Sequence, residues 1–238
     1  MKKRIFGLVQ ARMGSSRLPG KVMKPLLGNP LVGHIFDRLG MLQGLEGIIL
    51  ATTSDRRNYP LVKYAMERGV VVHQETAEDD ITGRLYHAAH ASGADAILKV
   101  NADCPLVDIR IMQDLLNKFF DQPDIHYVSN KIEWTWPEGM SAEVIATSAL
   151  SWCDDHLKNA VDRELVCNWI RDHKDKFSQL SVVSPFNWYT QLPSLAVDTP
   201  DDFVLVEKLL KLHGNRGEAL AFEAIPALLK RMNSKNHE

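Results

Sequence analysis

Short apolar runs alternate with amphipathic stretches through the first half of this 238-residue chain, and this alternation limits the possible folds most strongly. The apolar runs have the length of strands, and the stretches between them carry helical spacing. We expect strands at 4–9, 47–52, 70–73 and 96–100, and helices at 31–39, 60–67 and 81–91. A strand–helix–strand rhythm indicates βαβ units, so the chain is predicted to be an α/β protein with a mainly parallel sheet.

The rhythm changes in the second half of the chain. Asp108 is placed to cap a helix over 108–120, and beyond residue 122 the elements become shorter and more varied. Strands are expected at 125–128, 144–146, 180–183 and 195–197, and helices at 149–157, 164–173, 201–212 and 222–232. There is no repeat, linker or low-complexity tract, so residues 1–238 are interpreted as a single domain.

A basic loop over residues 10–21 follows the first predicted strand. It contains three cations and two glycines: Arg12, Arg17, Lys21, Gly14 and Gly20. Glycine lets backbone N–H groups approach an anion and the cations supply charge, so this composition suits a polyphosphate. The loop is not a P-loop, because its glycines are one residue too far apart and Val22 stands where Ser or Thr would follow the lysine. A solvated basic turn stays open as the alternative.

Two aspartates each follow a short apolar strand candidate. Asp103 comes after the strand at 96–100, and Asp198 comes after the strand at 195–197. Ligands of parallel sheets bind beyond the carboxyl ends of the strands, so we expect Asp103 at the same sheet edge as the basic loop. Two carboxylates facing phosphates are suited to hold Mg²⁺. Each aspartate could instead cap a turn or a helix, and this alternative stays open.

Two further groups of residues allow more than one interpretation. Glu78, Asp79 and Asp80 form an acidic run that is either a solvated turn or part of a binding site. Arg84 on the following helix could point to the sheet edge of the basic loop. A cluster of aromatic residues could be a partner surface, a sugar-stacking surface or ordinary packing; it consists of Trp134, Trp136, Trp188 and Tyr189.

Composition excludes several classes of protein. The net charge of −2 gives no indication of nucleic acid or a membrane as partner, and no run approaches the ~18 apolar residues of a membrane span. The basic residues 1–4 are followed by an apolar stretch that ends at Gln10, which is too short for a signal peptide. Cys104, Cys153 and Cys167 show no paired spacing, so a cytoplasmic location without disulfides is expected.

Taken together, these motifs resemble the cytidylyltransferase family of the spore-coat polysaccharide biosynthesis protein F group, a relative of the CMP-sugar-acid synthetases for acylneuraminate and KDO. Residues 10–21 match the group's pattern Q-A-R-M-G-S-T-R-L-P-G-K except at Ser16. Residues 79–84, 101–108 and 197–202 match its patterns D-D-V-L-x-R, T-G-D-C-P-L-I-D and V-D-T-P-E-D with conservative changes. The matches occur in order and span nearly the whole chain.

The resemblance implies a Rossmann-like nucleotidyltransferase domain with a small hairpin lobe for homodimer formation, within about residues 130–192. It implies transfer of CMP from CTP to an acceptor sugar, with Mg²⁺ and release of pyrophosphate, for polysaccharide or glycan biosynthesis. Arg12, Lys21 and Asp103 would be catalytic, and Asp103 and Asp198 would hold the metal. The nucleotide-binding residues implied are Ala11, Arg12, Met13, Gly14, Ser15, Arg17, Lys21, Asp80, Arg84, Asn101 and Asp103.

The acceptor side departs from the family pattern. Where the family reads G-L-D-V-E-V this chain has Ser141 for the first acidic residue, and where it reads E-R-E-H-V this chain has Leu165 for the histidine. The acceptor, expected to be a sugar acid, would be bound by Glu143 and by Arg163. Arg163 could equally lie on a helix surface.

Two other functions are compatible with such a chain. A metal-dependent nucleotide-sugar glycosyltransferase also uses a Rossmann-like sheet, but its usual D-x-D is not evident because Cys104 and Pro105 follow Asp103. A non-catalytic nucleotide-binding module would not need the combination of Lys21, Asp103 and Asp198 that this chain retains.

Overall fold

The computed structural model describes residues 3–187, 191–214 and 219–234. Its strands are β1 (Ile5–Gln10), β2 (Pro25–Leu26), β3 (Asn29–Pro30), β4 (Leu45–Thr53), β5 (Val71–Glu75), β6 (Ala96–Asn101), β7 (Tyr127–Ser129), β8 (Ala142–Ala146) and β9 (Gln179–Ser181). Seven of them form the central sheet in the order β5-β4-β1-β6-β8-β7-β9, and β2 and β3 form a separate small hairpin.

The first half of the central sheet is parallel. β1 lies between β4 and β6 and runs parallel to both, and β5 runs parallel to β4 on the outer side. β8 pairs antiparallel with β6 and with β7, and β9 returns parallel to β7. β1 and β6 are almost completely buried, as expected for strands covered by helices on both faces. The predicted α/β class with a mainly parallel sheet is confirmed.

Helices cover both faces of the sheet. They are α1 (Leu31–Gly40), α2 (Tyr59–Glu67), α3 (Ile81–Ala91), α4 (Ile109–Phe120), α5 (Thr147–His156), α6 (Ala160–Glu164), α7 (Val166–Asp172), α8 (Pro200–His213) and α9 (Ile225–Ser234). α1, α2, α4, α8 and α9 pack into one hydrophobic core. α3, α5 and α7 pack into a second core on the opposite face. None of the helices in the described residues is long and apolar enough to cross a membrane.

Most elements lie where the sequence predicts them, and two predictions are wrong. The single helix expected at 164–173 is two helices, α6 and α7, because Leu165 leaves helical geometry at φ −104° and ψ 33°. The segment 195–197 is not a strand. It is held instead by isolated backbone hydrogen bonds, one of which runs from Leu195 N to Glu138 O at 2.9 Å. Asp108 caps α4 as predicted, accepting from Arg110 N at 2.8 Å.

The region predicted to hold a hairpin lobe contributes β8 and β9 to the central sheet. Trp136 in this region donates from Nε1 to the carbonyl of Val182 at 2.8 Å and packs against Phe222. Trp134 is 61% exposed, with the ammonium of Lys131 over its ring. Trp188 and Tyr189 lie outside the described residues. The lobe and its role in a dimer stay predictions.

The topology brings three separate segments to one sheet edge. Gln10 and Asn101 are register partners at the carboxyl ends of β1 and β6, so the loops that follow start side by side. Val197 N donates to Asp103 O at 2.8 Å, which ties the segment before α8 to the loop after β6. Gly139 has φ +91°, and a Cβ there would lie 2.3 Å from the backbone carbon of Leu195. Only glycine therefore lets the 137–141 segment approach this closely.

Candidate active site

The basic loop is closed on itself and anchored to the fold. Gly20 N donates to Met13 O at 3.1 Å, and Gly20 has φ +70°, a conformation that favours glycine. Met13 N donates to Oδ1 of Asn58, a buried residue whose Nδ2 donates to Oγ1 of Thr53 at 2.7 Å. These contacts hold the loop backbone over the end of β1. Sequence reasoning missed Asn58, because only the fold brings it to the loop.

Lys21 lies between the two aspartates that were predicted to bind metal. Its Nζ is 3.0 Å from Oδ2 of Asp103 and 2.9 Å from Oδ1 of Asp198, and it also donates to the carbonyl of Val197 at 2.9 Å. Burial lowers the pKa of Lys21, but the attraction of both carboxylates outweighs burial and raises the pKa above its ordinary value. Lys21 is therefore a stabilised cation, which joins Asp103 in the cleft to Asp198 beside it.

The other two cations of the loop also face carboxylates. Arg17 Nη2 is 3.0 Å from Oδ1 of Asp198. Arg12 forms an ion pair with Glu78, which belongs to the acidic run before α3. The three loop cations, Arg12, Arg17 and Lys21, are thus each neutralised by a carboxylate across the cleft. Because both partners of the Arg12–Glu78 pair are nearly half exposed, an incoming anion can exchange with Glu78 at little cost.

Arg84 is the cleft cation without a carboxylate partner among the described residues. It is only 3% exposed, and its Nη2 donates to the carbonyls of Ala77 at 2.7 Å and Glu78 at 2.5 Å. Its buried Nε has no hydrogen-bond partner there. Burial lowers the pKa of Arg84, and the nearby charge of Arg12 lowers it further. A buried donor without an acceptor is costly, so this guanidinium is suited to receive an acceptor from a ligand.

Two predicted binding residues are bonded to each other instead. Arg163 Nε and Nη2 donate to both carboxylate oxygens of Asp80, at 2.9 and 2.7 Å. The same guanidinium donates to the carbonyls of Asp154 and Leu157, and Asp80 caps α3 by accepting from Gly83 N. Neither side chain lines the cleft. In this structure the hydrogen-bonding groups of both side chains are engaged within the fold, and the predicted roles of Asp80 at the nucleotide and of Arg163 at the acceptor stay predictions.

Glu143 is also engaged inside the protein. It is 4% exposed on β8, accepts from the hydroxyl of Tyr127, and lies with Oε1 3.4 Å from Nζ of Lys99. Burial raises the pKa of Glu143, but the charges of Lys99 and Lys131 outweigh it and keep the carboxyl ionised. Glu143 does not line the cleft, and its predicted contact with the acceptor stays a prediction. The antiparallel register of β8 against β6, which opposes Glu143 to Lys99, was not readable from the sequence.

The segments enclose a cleft of about 340 Å³. The cleft brings together nine residues predicted to bind the nucleotide: Ala11, Arg12, Gly14, Ser15, Arg17, Lys21, Arg84, Asn101 and Asp103. Met13 was also predicted, but its side chain packs against the hydrophobic core and does not line the cleft. Lining residues that the sequence did not single out as ligand-binding are Gln10, Ser16, Val22, Glu78, Asp79, Ile81, Ala102 and Glu164.

Signals for the missed residues differ. Glu78 and Asp79 belong to the acidic run, so their place at the cleft selects between the two interpretations left open for that run. Glu164 follows Arg163 directly, and the turn between α6 and α7 exposes it to the cleft while Arg163 faces α3. Which of two adjacent residues faces a cleft depends on the exact turn of a short helix, and the sequence carries no signal for it.

The arrangement is suited to a polyphosphate and a divalent cation. Three cations and a closed loop face the space above β1, and two carboxylates lie within 3.0 Å of one ammonium. The described residues contain no group of three or more His, Cys, Asp or Glu side chains that could hold a metal by themselves. Two protein carboxylates completed by substrate phosphates and water are a usual environment for Mg²⁺, so these residues fit that ion.

Comparison with known proteins gives consistent similarities. A family model described as cytidylyltransferase matches residues 6–225. The spore coat polysaccharide biosynthesis protein SpsF of Bacillus subtilis is 26% identical over 232 residues, which cover 94% of this chain and 93% of that protein. The 8-amino-3,8-dideoxy-manno-octulosonate cytidylyltransferase of Shewanella sp. is 34% identical over 121 residues, about half of each chain (49% and 47%). The structure of a cytidylyltransferase from Leptospira borgpetersenii superimposes with a TM-score of 0.87 at 25% identity, covering 98% of this chain and 96% of that one.

Proposed function

Because the chain belongs to the cytidylyltransferase family and is therefore a CTP-dependent nucleotidyltransferase, we propose that it transfers CMP from CTP to a sugar acid and releases pyrophosphate. The observation that supports this reaction most directly is the position of Lys21 between Asp103 and Asp198, at the end of a loop that carries two further cations. The acceptor class is supported by the Shewanella relative, whose name is that of an amino sugar acid cytidylyltransferase.

The protein's own residues act mainly by binding charge. A hydroxyl oxygen of the acceptor attacks the α-phosphorus of CTP and its proton is released to water. The new P–O bond forms as the bond from the α-phosphorus to the bridging oxygen of the β-phosphate breaks, so that pyrophosphate leaves. Such a transfer needs positioning and charge stabilisation more than covalent catalysis. Arg12, Arg17 and Lys21 stabilise the negative charge that the leaving pyrophosphate carries. In the ligand-free protein the two carboxylates raise the pKa of Lys21, so its side chain enters the reaction as a cation.

Mg²⁺ is the cofactor proposed, and Asp103 and Asp198 would hold it. When bound, this ion neutralises phosphate charge and polarises the phosphoryl group. Ion pairing with Lys21 keeps both carboxylates close together before any ligand arrives. Asp103 is fixed further by the backbone hydrogen bond between its carbonyl and Val197 N, at 2.8 Å.

We propose that the base is recognised by Arg84 and Ala11, which both line the cleft. Arg84 offers a buried Nε donor without an acceptor among the described residues, and cytosine presents a carbonyl oxygen and a ring nitrogen as acceptors. Ala11 lines the cleft directly after β1, and its small methyl group is suited to pack against a flat ring. A homodimer and a cytoplasmic location are parts of the same proposal, supported by the family resemblance and by the absence of disulfide spacing.

Thermal shift against ATP, CTP, GTP and UTP, each with Mg²⁺, tests the nucleotide half of the proposal. We expect the largest shift with CTP, since ligand binding raises the melting temperature by mass action. Pyrophosphate release with CTP and a panel of eight- and nine-carbon sugar acids then tests the acceptor half. Equal shifts with all four nucleotides would contradict the cytidylyl assignment. In the same thermal-shift assay, a shift with nucleoside diphosphate sugars and none with the four triphosphates would favour a glycosyltransferase.

A further inference from the structure

A lysine is buried in the middle of the central sheet, next to the cleft. Lys99 on β6 is 7% exposed, and its register partner on β8 is Glu143, which is 4% exposed. Tyr127 on β7, 1% exposed, completes the group by donating its hydroxyl to Glu143. Burying a charged pair costs more free energy than packing apolar side chains of similar volume, so such a pair is poorly explained by stability alone.

Lys99 has a second contact that points toward the cleft. Its Nζ donates to Oδ1 of Asn101 at 3.0 Å, and Asn101 lines the cleft at the end of the same strand. An ammonium has three donors and no acceptor, so the amide of Asn101 must turn its oxygen to Lys99 and its Nδ2 away. Among the described residues Nδ2 has no partner. With its oxygen engaged by Lys99, the amide has N–H donors available to a ligand in the cleft that Asn101 lines.

We propose that Lys99 is a positioning residue that fixes the Asn101 amide, so that Asn101 donates from Nδ2 to an acceptor atom of bound CTP. Glu143 and Tyr127 hold the ammonium in place on its other side. The identity of the ligand rests on the proposed function, whereas the orientation of the amide rests on the contact between Lys99 and Asn101 alone.

A double-mutant cycle separates positioning from a merely structural role. Glu143→Gln serves as the background, because it removes the buried carboxylate that Lys99→Met would otherwise leave unpaired. In this background we expect Lys99→Met to weaken Mg²⁺–CTP binding about tenfold, the size of a charge-assisted hydrogen bond. With Asn101→Ala also present, the same Lys99→Met should weaken binding less than about twofold. Equal losses with and without Asn101 would overturn the proposal.

Two further measurements keep the proposal testable where the first variants fail. Asn101→Asp retains an oxygen for Lys99 but removes both N–H donors, so it should fold normally and bind CTP about tenfold more weakly. Normal CTP binding by Asn101→Asp would overturn the donor role. In the ¹⁵N–¹H spectrum of the ligand-free protein, the side-chain amide pair of Asn101 should shift in the Lys99→Met, Glu143→Gln variant relative to Glu143→Gln. Unchanged side-chain amide signals of Asn101 would overturn the positioning role, whether or not the wild-type protein binds CTP. Failure of the wild-type protein to bind CTP would contradict the proposed function separately.

Discussion

The two walls of the cleft use the same residue types for different purposes. On the loop wall, Lys21 and Arg17 pair with Asp198, whose side chain accepts from these two cations alone within the part of the chain that the structure describes. Among the described residues, the one backbone contact of these side chains is from Lys21 to the carbonyl of Val197. Behind the other wall, Arg163 pairs with Asp80, and this pair is also bonded to Gly83 N, to the carboxylate and carbonyl of Asp154 in α5 and to the carbonyl of Leu157. The first kind of pair can exchange with a ligand, and the second kind holds elements of the fold together.

The largest effect on activity is expected from removing a carboxylate that pairs with Lys21 on the loop wall. Asp103→Asn removes one of the two carboxylates on Lys21 and one proposed metal ligand, so pyrophosphate release should fall about 10³-fold, comparable to loss of one preorganised electrostatic group. The melting temperature should change little, because the Asp103 side chain is 28% exposed. Asp201→Asn, an exposed carboxylate in the first turn of α8, is the matched control and should keep normal turnover. Turnover within about tenfold of wild type would contradict the assignment of Asp103 to the active site.

Removing the ion pair between Arg163 and Asp80 should lower the stability of the protein. Arg163→Ala leaves the carboxylates of Asp80 and Asp154 and two carbonyls without their donor, which costs about 2 kcal/mol and lowers the melting temperature by about 4–8 °C. The dissociation constant for CTP should stay within about twofold of wild type, because neither residue of the pair lines the cleft. Arg57→Ala removes an exposed arginine and serves as the control without measurable change. A large loss of CTP affinity with normal stability would contradict this division of roles.

The pH dependence of stability tests the structural role of the pair formed by Asp80 and Arg163. Burial raises the pKa of Asp80, but the hydrogen bonds from Arg163 and Gly83 N outweigh burial and lower the pKa below its ordinary value. A carboxyl with a lowered pKa in the folded state stabilises the fold above its unfolded pKa of about 3.9, and this contribution is lost as the pH falls through the folded pKa. The difference in melting temperature between wild type and Arg163→Ala should therefore be full at pH 7 and shrink below about pH 4. A difference that grows in acid would contradict the sign.

The smallest effect concerns the competition for Arg12. Glu78→Gln removes the carboxylate that neutralises Arg12 in the ligand-free protein, so CTP should bind about two- to threefold more tightly, as expected for a partly exposed ion pair. Titration calorimetry with Mg²⁺ and CTP measures this change. The neighbouring Asp79→Asn alters the charge equally without removing this ion pair, and should have the smaller effect. Weaker CTP binding by Glu78→Gln would mean that Glu78 contacts the ligand itself.

The two walls also differ in how far the sequence predicted them. The loop, Asp103 and the strands before them are local features, since glycine content, apolar runs and strand-end carboxylates are visible within a few residues. The partner of an arginine is not local. Arg12 and Arg163 both stand in polar segments, and only the packing of α6 against α3 decides that Arg163 is saturated. The burial of Glu143 was not predicted either, because β8 begins two residues earlier than its apolar run indicates and so includes this residue.

One backbone hydrogen bond, from Val197 N to Asp103 O, has a consequence for the synthesis of the protein on the ribosome. All seven strands of the central sheet end by Ser181, so a growing chain can complete its sheet before residue 198 has emerged. Until then Lys21 has one of its two aspartates. The contact of Lys21 with both carboxylates can therefore form only after the residues of all seven strands have been synthesised.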